Sequence, residues 1–281
     1  MQRGERSRLD RGTYPVLSPA QRAWRAECEG WVALGQAPEA AGIYRVSRYR
    51  GMVLVRSDPR ARRRLPALIL LRDDAVDKPE EGLQEALDLL GPLGDPLYAC
   101  ILESDSLPRW EDALSALRFE RESTQLLMTC PLPRSLGAGG GAWARGIAHN
   151  PRVTVAPVDA EEDREAALAV MQEGFRDPPA VTAFYNPRGV VRLYLARLAG
   201  EPAGAGALWP FAGVAGFYSI TTRPRFRRQG VAYALVERML YDAAAAGFRL
   251  ASLRTTYELE ELYARHGFRT AGRVVRYRRE P

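Results

Sequence analysis

Phe226-Arg227-Arg228-Gln229-Gly230-Val231-Ala232 constrains this chain more than any other stretch. It follows an apolar, strand-like run from Gly216 to Thr222 and opens a helix-like run from Val231 to Ala246. A strand, a short basic loop with one glycine and then a helix form a site suited to a phosphate. The first amides of a helix lack intrahelical partners and point at an anion. Gly230 has no side chain to hold a ligand off the backbone. Arg227 and Arg228 add positive charge.

Other phosphate-binding loops fit less well. A dinucleotide fingerprint needs three spaced glycines and an acidic residue about 20 positions on, and this loop has one glycine. A P-loop needs Gly-Lys-Ser/Thr, and Lys78 is the only lysine in the chain.

The flanking segments sharpen the reading. Thr222-Arg223-Pro224 marks the strand exit. After the helix, Gly247-Phe248 leads into Leu250 to Leu253, and then comes Leu262-Tyr263-Ala264-Arg265-His266-Gly267-Phe268. Upstream, Leu193 to Leu198, the turn Ala199 to Pro202, and Ala203 to Leu208 read as two further strands. In this order the segments resemble the GNAT acetyltransferase superfamily. Arg227-x-x-Gly230-x-Ala232 resembles its acyl-coenzyme-A signature, and Leu262 to Phe268 its late Leu-Tyr-x-x-x-Gly-Phe segment. The resemblance covers residues 152 to 279.

It implies an α/β (α+β) fold, a mostly antiparallel mixed sheet flanked by helices. It also implies an acyl-CoA-dependent N-acyltransferase using acetyl-CoA, with no metal. The cofactor-binding positions carried over are Ile220, Thr221, Thr222, Arg227, Arg228, Gln229, Gly230, Val231 and Ala232. Strand amides would pair with the pantetheine arm, and one near Ile220 would steady the oxyanion. Tyr263 is the carried-over general acid for the leaving thiolate, set against a packing tyrosine. For the base, Glu173 and Tyr218 stand as alternatives beside ordered water. His266 is expected to lie on an exposed helix end and is not favoured.

Composition narrows the setting. The chain has 281 residues, enough for two domains of ordinary size. No run of 18 apolar residues occurs, so no membrane span is expected, and the charged start lacks a secretory core. A cytoplasmic protein is expected. Cys100 and Cys130 sit in apolar runs and read as buried thiols; with Cys28 and two histidines they are too few and too scattered for a metal site. The net charge is +6, with 21 basic and 20 acidic residues before residue 150 and 19 and 14 after it. The excess thus lies with the phosphate loop, and a polyphosphate ligand accounts for it as well as nucleic acid does. No nucleic-acid motif accompanies it. The expected partner is a small-molecule, peptide or protein amine, and a homodimer is compatible. A non-catalytic acyl-CoA-binding or sensing module is the alternative.

Gly137-Ala138-Gly139-Gly140-Gly141 marks a boundary. The expected division is 1–133, a linker at 134–150, and an acetyltransferase domain at 151–281. In the second part, Asp159 is expected to cap a helix over 160–173, with a short helix near Ala180 to Tyr185. The last strand, Arg273 to Arg279, is basic and is expected at an edge.

The first part reads as strands at Val53–Val55, Leu65–Leu71, Leu97–Leu102 and Gln125–Thr129. Helical stripes at Leu83/Leu87/Leu90 and Trp110/Ala113/Leu114/Leu117 separate the later ones. Ala116-Leu117-Arg118-Phe119 echoes Arg265-His266-Gly267-Phe268, so a tandem of two such units is expected, the first degenerate. Its loop at Asp73 to Glu81 carries five carboxylates where a pyrophosphate would sit. Leu114 stands at the position of Tyr263, and Arg118 at that of Gly267. The first unit is therefore expected to hold no cofactor.

Overall fold

The computed structural model describes residues 17–40, 43–58, 67–71, 78–91, 96–133, 150–177 and 179–281. The glycine-rich linker and the carboxylates at 73–77 lie outside the described residues. The first half contains α1 (Pro19–Gln36), β1 (Tyr44–Tyr49), β2 (Met52–Ser57), β3 (Ala67–Leu71), α2 (Pro79–Leu90), β4 (Leu97–Leu102), α3 (Leu107–Ala116) and β5 (Glu120–Pro131). The second contains β6 (Val153–Pro157), α4 (Glu161–Phe175), α5 (Pro179–Tyr185), β7 (Arg192–Leu198), β8 (Glu201–Phe211) and β9 (Val214–Thr222). It ends with α6 (Val231–Ala245), β10 (Leu250–Thr255), α7 (Glu260–Ala264) and β11 (Arg269–Arg279).

The eleven strands among the described residues form one sheet, in the order β1-β2-β3-β4-β11-β5-β10-β9-β8-β7-β6. The order is nearly palindromic. β3 runs parallel to β4 and β9 parallel to β10; every other pairing is antiparallel. The two halves repeat one plan and exchange their last strands. β5 inserts between β10 and β11, and β11 between β4 and β5. The sheet therefore runs unbroken across the expected division.

Local structure repeats the symmetry. The β1–β2 hairpin turns at Arg50 and Gly51 and the β7–β8 hairpin at Ala199 and Gly200, both pairs with positive φ, as a tight two-residue hairpin needs. Arg118 takes φ 63° where Gly267 takes 87°. The Phe119 amide donates to the Leu114 carbonyl at 2.9 Å, and the Phe268 amide to that of Tyr263 at 3.2 Å. The echo at Arg118-Phe119 is thus a shared helix-ending turn.

Two expectations about elements are corrected. β11 is central, not an edge strand. Val274, Val275 and Tyr277 are buried, while its arginines find partners along the sheet: Arg273 meets Glu103 at 3.1 Å and Arg276 meets Glu122 at 2.7 Å. The paired carboxylates on neighbouring elements let a basic strand sit in the middle. The N-cap of α4 is Ala160, with no side-chain cap, because the helix starts beyond the reach of Asp159. Glu161, Glu162 and Asp163 favour that end through the helix dipole instead.

Helices cover both faces. On one, α1, α4 and α5 share a core through Trp24, Trp31, Val170, Phe184 and Trp209. On the other, α6 and α7 cover the second half and α2 and α3 the first. Helix α1 begins with a capping box, Ser18 against Gln21, and proline at N1. It packs on β1 and also on β5, β8, β9 and β10, so a helix of the first half lies on the sheet of the second. Gly30 permits this: a Cβ there would stand 2.9 Å from Trp209 Cε3 and 2.8 Å from Phe211 Cδ2.

Candidate active site

β9 and β10 part company early. Their parallel ladder holds only at Ala215–Ala251 and Gly216–Ser252. Beyond it β10 stays with β5 as far as Thr255, while β9 stays with β8 as far as Thr222. The edge of β9 from Phe217 onward is left facing a fork. A bulge sits in the same segment: Tyr218 and Thr221 oppose Ala207 and Ala205, giving β9 one extra residue, and Ser219 takes φ 53°. Such a bulge bends the strand and re-aims its backbone groups. Ile220, Thr221 and Thr222 lie along this forked edge.

The loop from Arg227 to Gly230 closes one end of the fork. Gly230 is the N-cap of α6 with φ 84°, in the left-handed region, and no side chain caps the helix. The first amides of α6 are left for an external acceptor, since the first intrahelical bond runs from Ala234 to Gly230. Asn150 Nδ2 donates to the Gln229 carbonyl at 3.0 Å and ties the loop to β6. Arg227, Arg228 and Gln229 are exposed around it. Val231 and Ala232 form the first turn. This is a fit for a pyrophosphate: oriented amides, local positive charge and a glycine in place of a side chain.

Tyr263 lies on the α6 face. It is 7% exposed, its ring 6.1 Å from that of Phe268, which is 5.8 Å from Phe217 of β9. Burial pushes its phenol up to about 12, so it keeps its proton at neutral pH.

The base alternatives fall on the opposite side. Glu173, at the end of α4, pairs with Arg223 Nε at 2.9 Å. Gly174 lets α4 approach there, since a Cβ on it would overlap Thr221 Oγ1. Tyr218 packs with the α1/α4 core and donates its hydroxyl to Glu27 Oε2 of α1 at 3.1 Å. Burial first, then the charge of Glu27, holds the Tyr218 phenol well above its ordinary value. That shift makes it a poor base by itself.

His266 departs from expectation. It is fully buried, not exposed. Nδ1 lies 3.0 Å from the Leu262 carbonyl and Nε2 3.0 Å from that of Tyr233, in the first turn of α6. The turn at Gly267 swings the ring inward, where it fastens α7 to α6. Cys100 and Cys130 are buried thiols, as their apolar surroundings implied. Among the described residues no group of three or more His, Cys, Asp or Glu is placed to hold a metal. Among the described residues no helix is long and apolar enough to cross a membrane.

Sequence reasoning missed Glu27 and Arg254. Arg254 Nη2 lies 2.9 Å from Glu27 Oε1, with the glutamate side chain fully buried and the arginine's 20% exposed. The only signal was a glutamate on the apolar stripe of α1, between Trp24 and Trp31.

Residues 190–270 match the family model for the acetyltransferase (GNAT) domain. This segment is similar to that domain. It takes in the fork, the loop from Arg227 to Gly230 and Tyr263. No curated protein sequence matches the chain significantly. Among solved structures, a GCN5-related N-acetyltransferase from Kribbella flavida is similar, at 18% identity and TM-score 0.66. The match covers 95% of this chain and 97% of that one. A GCN5-related N-acetyltransferase from Sphaerobacter thermophilus matches at 18% identity and TM-score 0.58, over 95% and 94%. A tandem GNAT protein from the clavulanic acid biosynthesis pathway matches at 14% and 0.56, over 90% and 94%. These likenesses carry the fold, and their coverage of nearly the whole chain extends its plan to both halves.

Proposed function

We propose that the chain transfers an acyl group, acetyl first among candidates, from a coenzyme A thioester to an amine by direct attack. The observation that carries this is the fork between β9 and β10 with the uncapped N-terminus of α6 at its end. In this reading the amides of Arg228 to Ala232 receive the pyrophosphate, with Arg227 nearby. Backbone groups of Ile220, Thr221 and Thr222 pair with the pantetheine arm. An amide beside Ile220 stabilises the developing oxyanion, a contact worth about 3 to 4 kcal/mol in comparable sites. Tyr263 protonates the departing thiolate from the α6 face.

The acceptor approaches the other face, where α1, α4 and α5 meet. In the proposed division, residues 151–281 supply the cofactor site and residues 1–133 supply α1 and the exchanged strand β5. Soluble cytoplasmic acetyl-CoA is the proposed source of the acyl group. A small-molecule or peptide amine is the proposed acceptor.

Calorimetry with acetyl-CoA on wild type and Gly230→Trp tests the reading. At φ 84° a side chain is strained, by roughly 1–2 kcal/mol, and the indole would cover the amides. One wild-type site per chain and at least tenfold weaker binding in the folded variant are expected. Equal affinity in the two would overturn the phosphate assignment.

A further inference from the structure

The proposed reaction needs a group that takes a proton from the incoming ammonium, and neither Glu173 nor Tyr218 alone is suited. Glu173 is half-exposed and already paired with Arg223. Tyr218 holds its proton firmly. It stands, however, immediately before the bulge at Ser219, where β9 leaves β10. Its hydroxyl is bonded to a carboxylate that belongs to the other half of the chain.

That carboxylate is built in. Glu27 sits on α1 one turn before Gly30, whose missing side chain brings the helix down on Trp209 and Phe211. The ring of Trp209 lies 4.2 Å from that of Tyr218 and fixes its orientation. Arg254 Nη2 holds Glu27 Oε1 at 2.9 Å, leaving Oε2 to Tyr218. The groups facing this pair are Arg254 on β10, Trp31 and Cys28 on α1, and Cys100 on β4. Arg276 of β11 and Tyr185 of α5 complete the ring around Arg254 and Cys100. Burial lifts the Glu27 carboxyl above the usual range, and Arg254 offsets part of that lift.

We propose that Glu27 of the first half, acting through the hydroxyl of Tyr218, receives the proton of the acceptor amine at the fork. This rests on the acyltransferase reading above. As the ammonium gives its proton to the Tyr218 oxygen, the phenolic proton passes to Glu27 Oε2, and the neutral amine remains. Its nitrogen bonds to the thioester carbon, and the carbon–sulfur bond breaks. The thiolate takes the Tyr263 proton, and the nitrogen's second proton restores that phenol. Glu27 then returns its proton to the Tyr218 oxygen, which passes one on to solvent once the product has left. Acid and relay thus lie on opposite faces of the sheet: Tyr263 with α6, Tyr218 and Glu27 with α1 and α4. Tyr218 touches the amine; Glu27 is a positioning residue and proton store. The first half contributes to the reaction without a cofactor site of its own.

The test measures thiol release from acetyl-CoA with tyramine, spermidine, glycine and a lysyl peptide, across pH 6 to 9.5. Glu27→Gln keeps the shape and removes the proton acceptor; Tyr218→Phe breaks the relay while leaving the Glu27–Arg254 pair in place. For the best acceptor, each folded variant is expected to lose about 10²-fold in kcat at neutral pH. The loss should shrink as pH approaches the amine's own pKa, with acetyl-CoA affinity unchanged. Glu27→Asp should recover part of the rate. If Glu27→Gln does not fold, Tyr218→Phe decides. Transfer by Tyr218→Phe within threefold of wild type, with the same pH profile, would overturn the relay and leave the acyltransferase standing. Acetyl-CoA bound by wild type with no transfer to any amine would overturn both.

Discussion

Gly204 of β8 lies directly beneath Val231, the first residue of α6: a Cβ on Gly204 would stand 2.5 Å from Val231 Cγ1. That spacing sets the height of the first amides of α6 above the sheet. A side chain at 204 must lift the first turn of α6, because Leu235 Cδ1 and the Thr221 carbonyl, each 3.0 Å from the same Cβ, leave no lateral escape. Gly204→Val is expected to cost about 1–3 kcal/mol in stability by overpacking. It should also weaken acetyl-CoA binding more than it alters the rest of the fold. Thermal melts paired with calorimetry would check both; unchanged affinity would mean that α6 does not carry the phosphate.

Tyr263 separates two roles cleanly. As the acid, it acts mainly in the transition state, so Tyr263→Phe should lower kcat by 10² to 10⁴-fold with little change in KM for acetyl-CoA. As a packing residue against Phe268, it would be replaced by phenylalanine almost without effect. Steady-state kinetics with the best acceptor decide, and a loss under about threefold would return Tyr263 to the core.

His266 gives the fold a pH dependence of definite sign. Burial lowers its pKa, although the two carbonyls it faces work the other way. The unfolded chain therefore takes up this proton first. Stability is full above the unfolded value of about 6.5 and falls as pH drops below it. Melting temperatures from pH 8 to pH 5 should decline more steeply for wild type than for His266→Gln. A wild type that gains stability on acidification relative to the variant would show that the paired carbonyls prevail over burial.

The strand exchange predicts that residues 151–281 do not fold alone. Without β5, the ladders of β10 and of β11 both lose a central partner. Circular dichroism of that fragment should lack cooperative melting. Adding residues 1–133 in trans should restore it. A fragment that melts cooperatively and binds acetyl-CoA by itself would contradict this.

Much of this architecture could be read from residue order. The strand, loop and helix around Gly230 and the turn at Gly267 are local patterns, set by backbone preference and apolar spacing, and they stand where expected. The alternation from β3 to β5 in the first half was legible for the same reason. Helix α1 was not read, although Ser18, Pro19 and Gln21 mark its start and Trp24, Trp31 and Leu34 its buried stripe. The place of β11 was hidden because arginines suit an edge until their partners are known, and those partners lie far away in sequence. Glu27 was invisible as a site residue for a like reason: its meaning comes from Tyr218 and Arg254, about 190 and 230 residues on.

The exchanged strands also bear on how the chain is made. The first half leaves the ribosome with a gap beside β4 that β11, the strand that closes the second half, fills. Its sheet stays incomplete until the second half has been made through β11. Domain-by-domain maturation during synthesis, the usual course for a chain with two repeats, is therefore closed to it. A stalled or truncated product exposes the edge of β4, a template for pairing with a second nascent chain. Protein quality control, rather than catalysis, would be the first to register the loss of the eleven residues of β11.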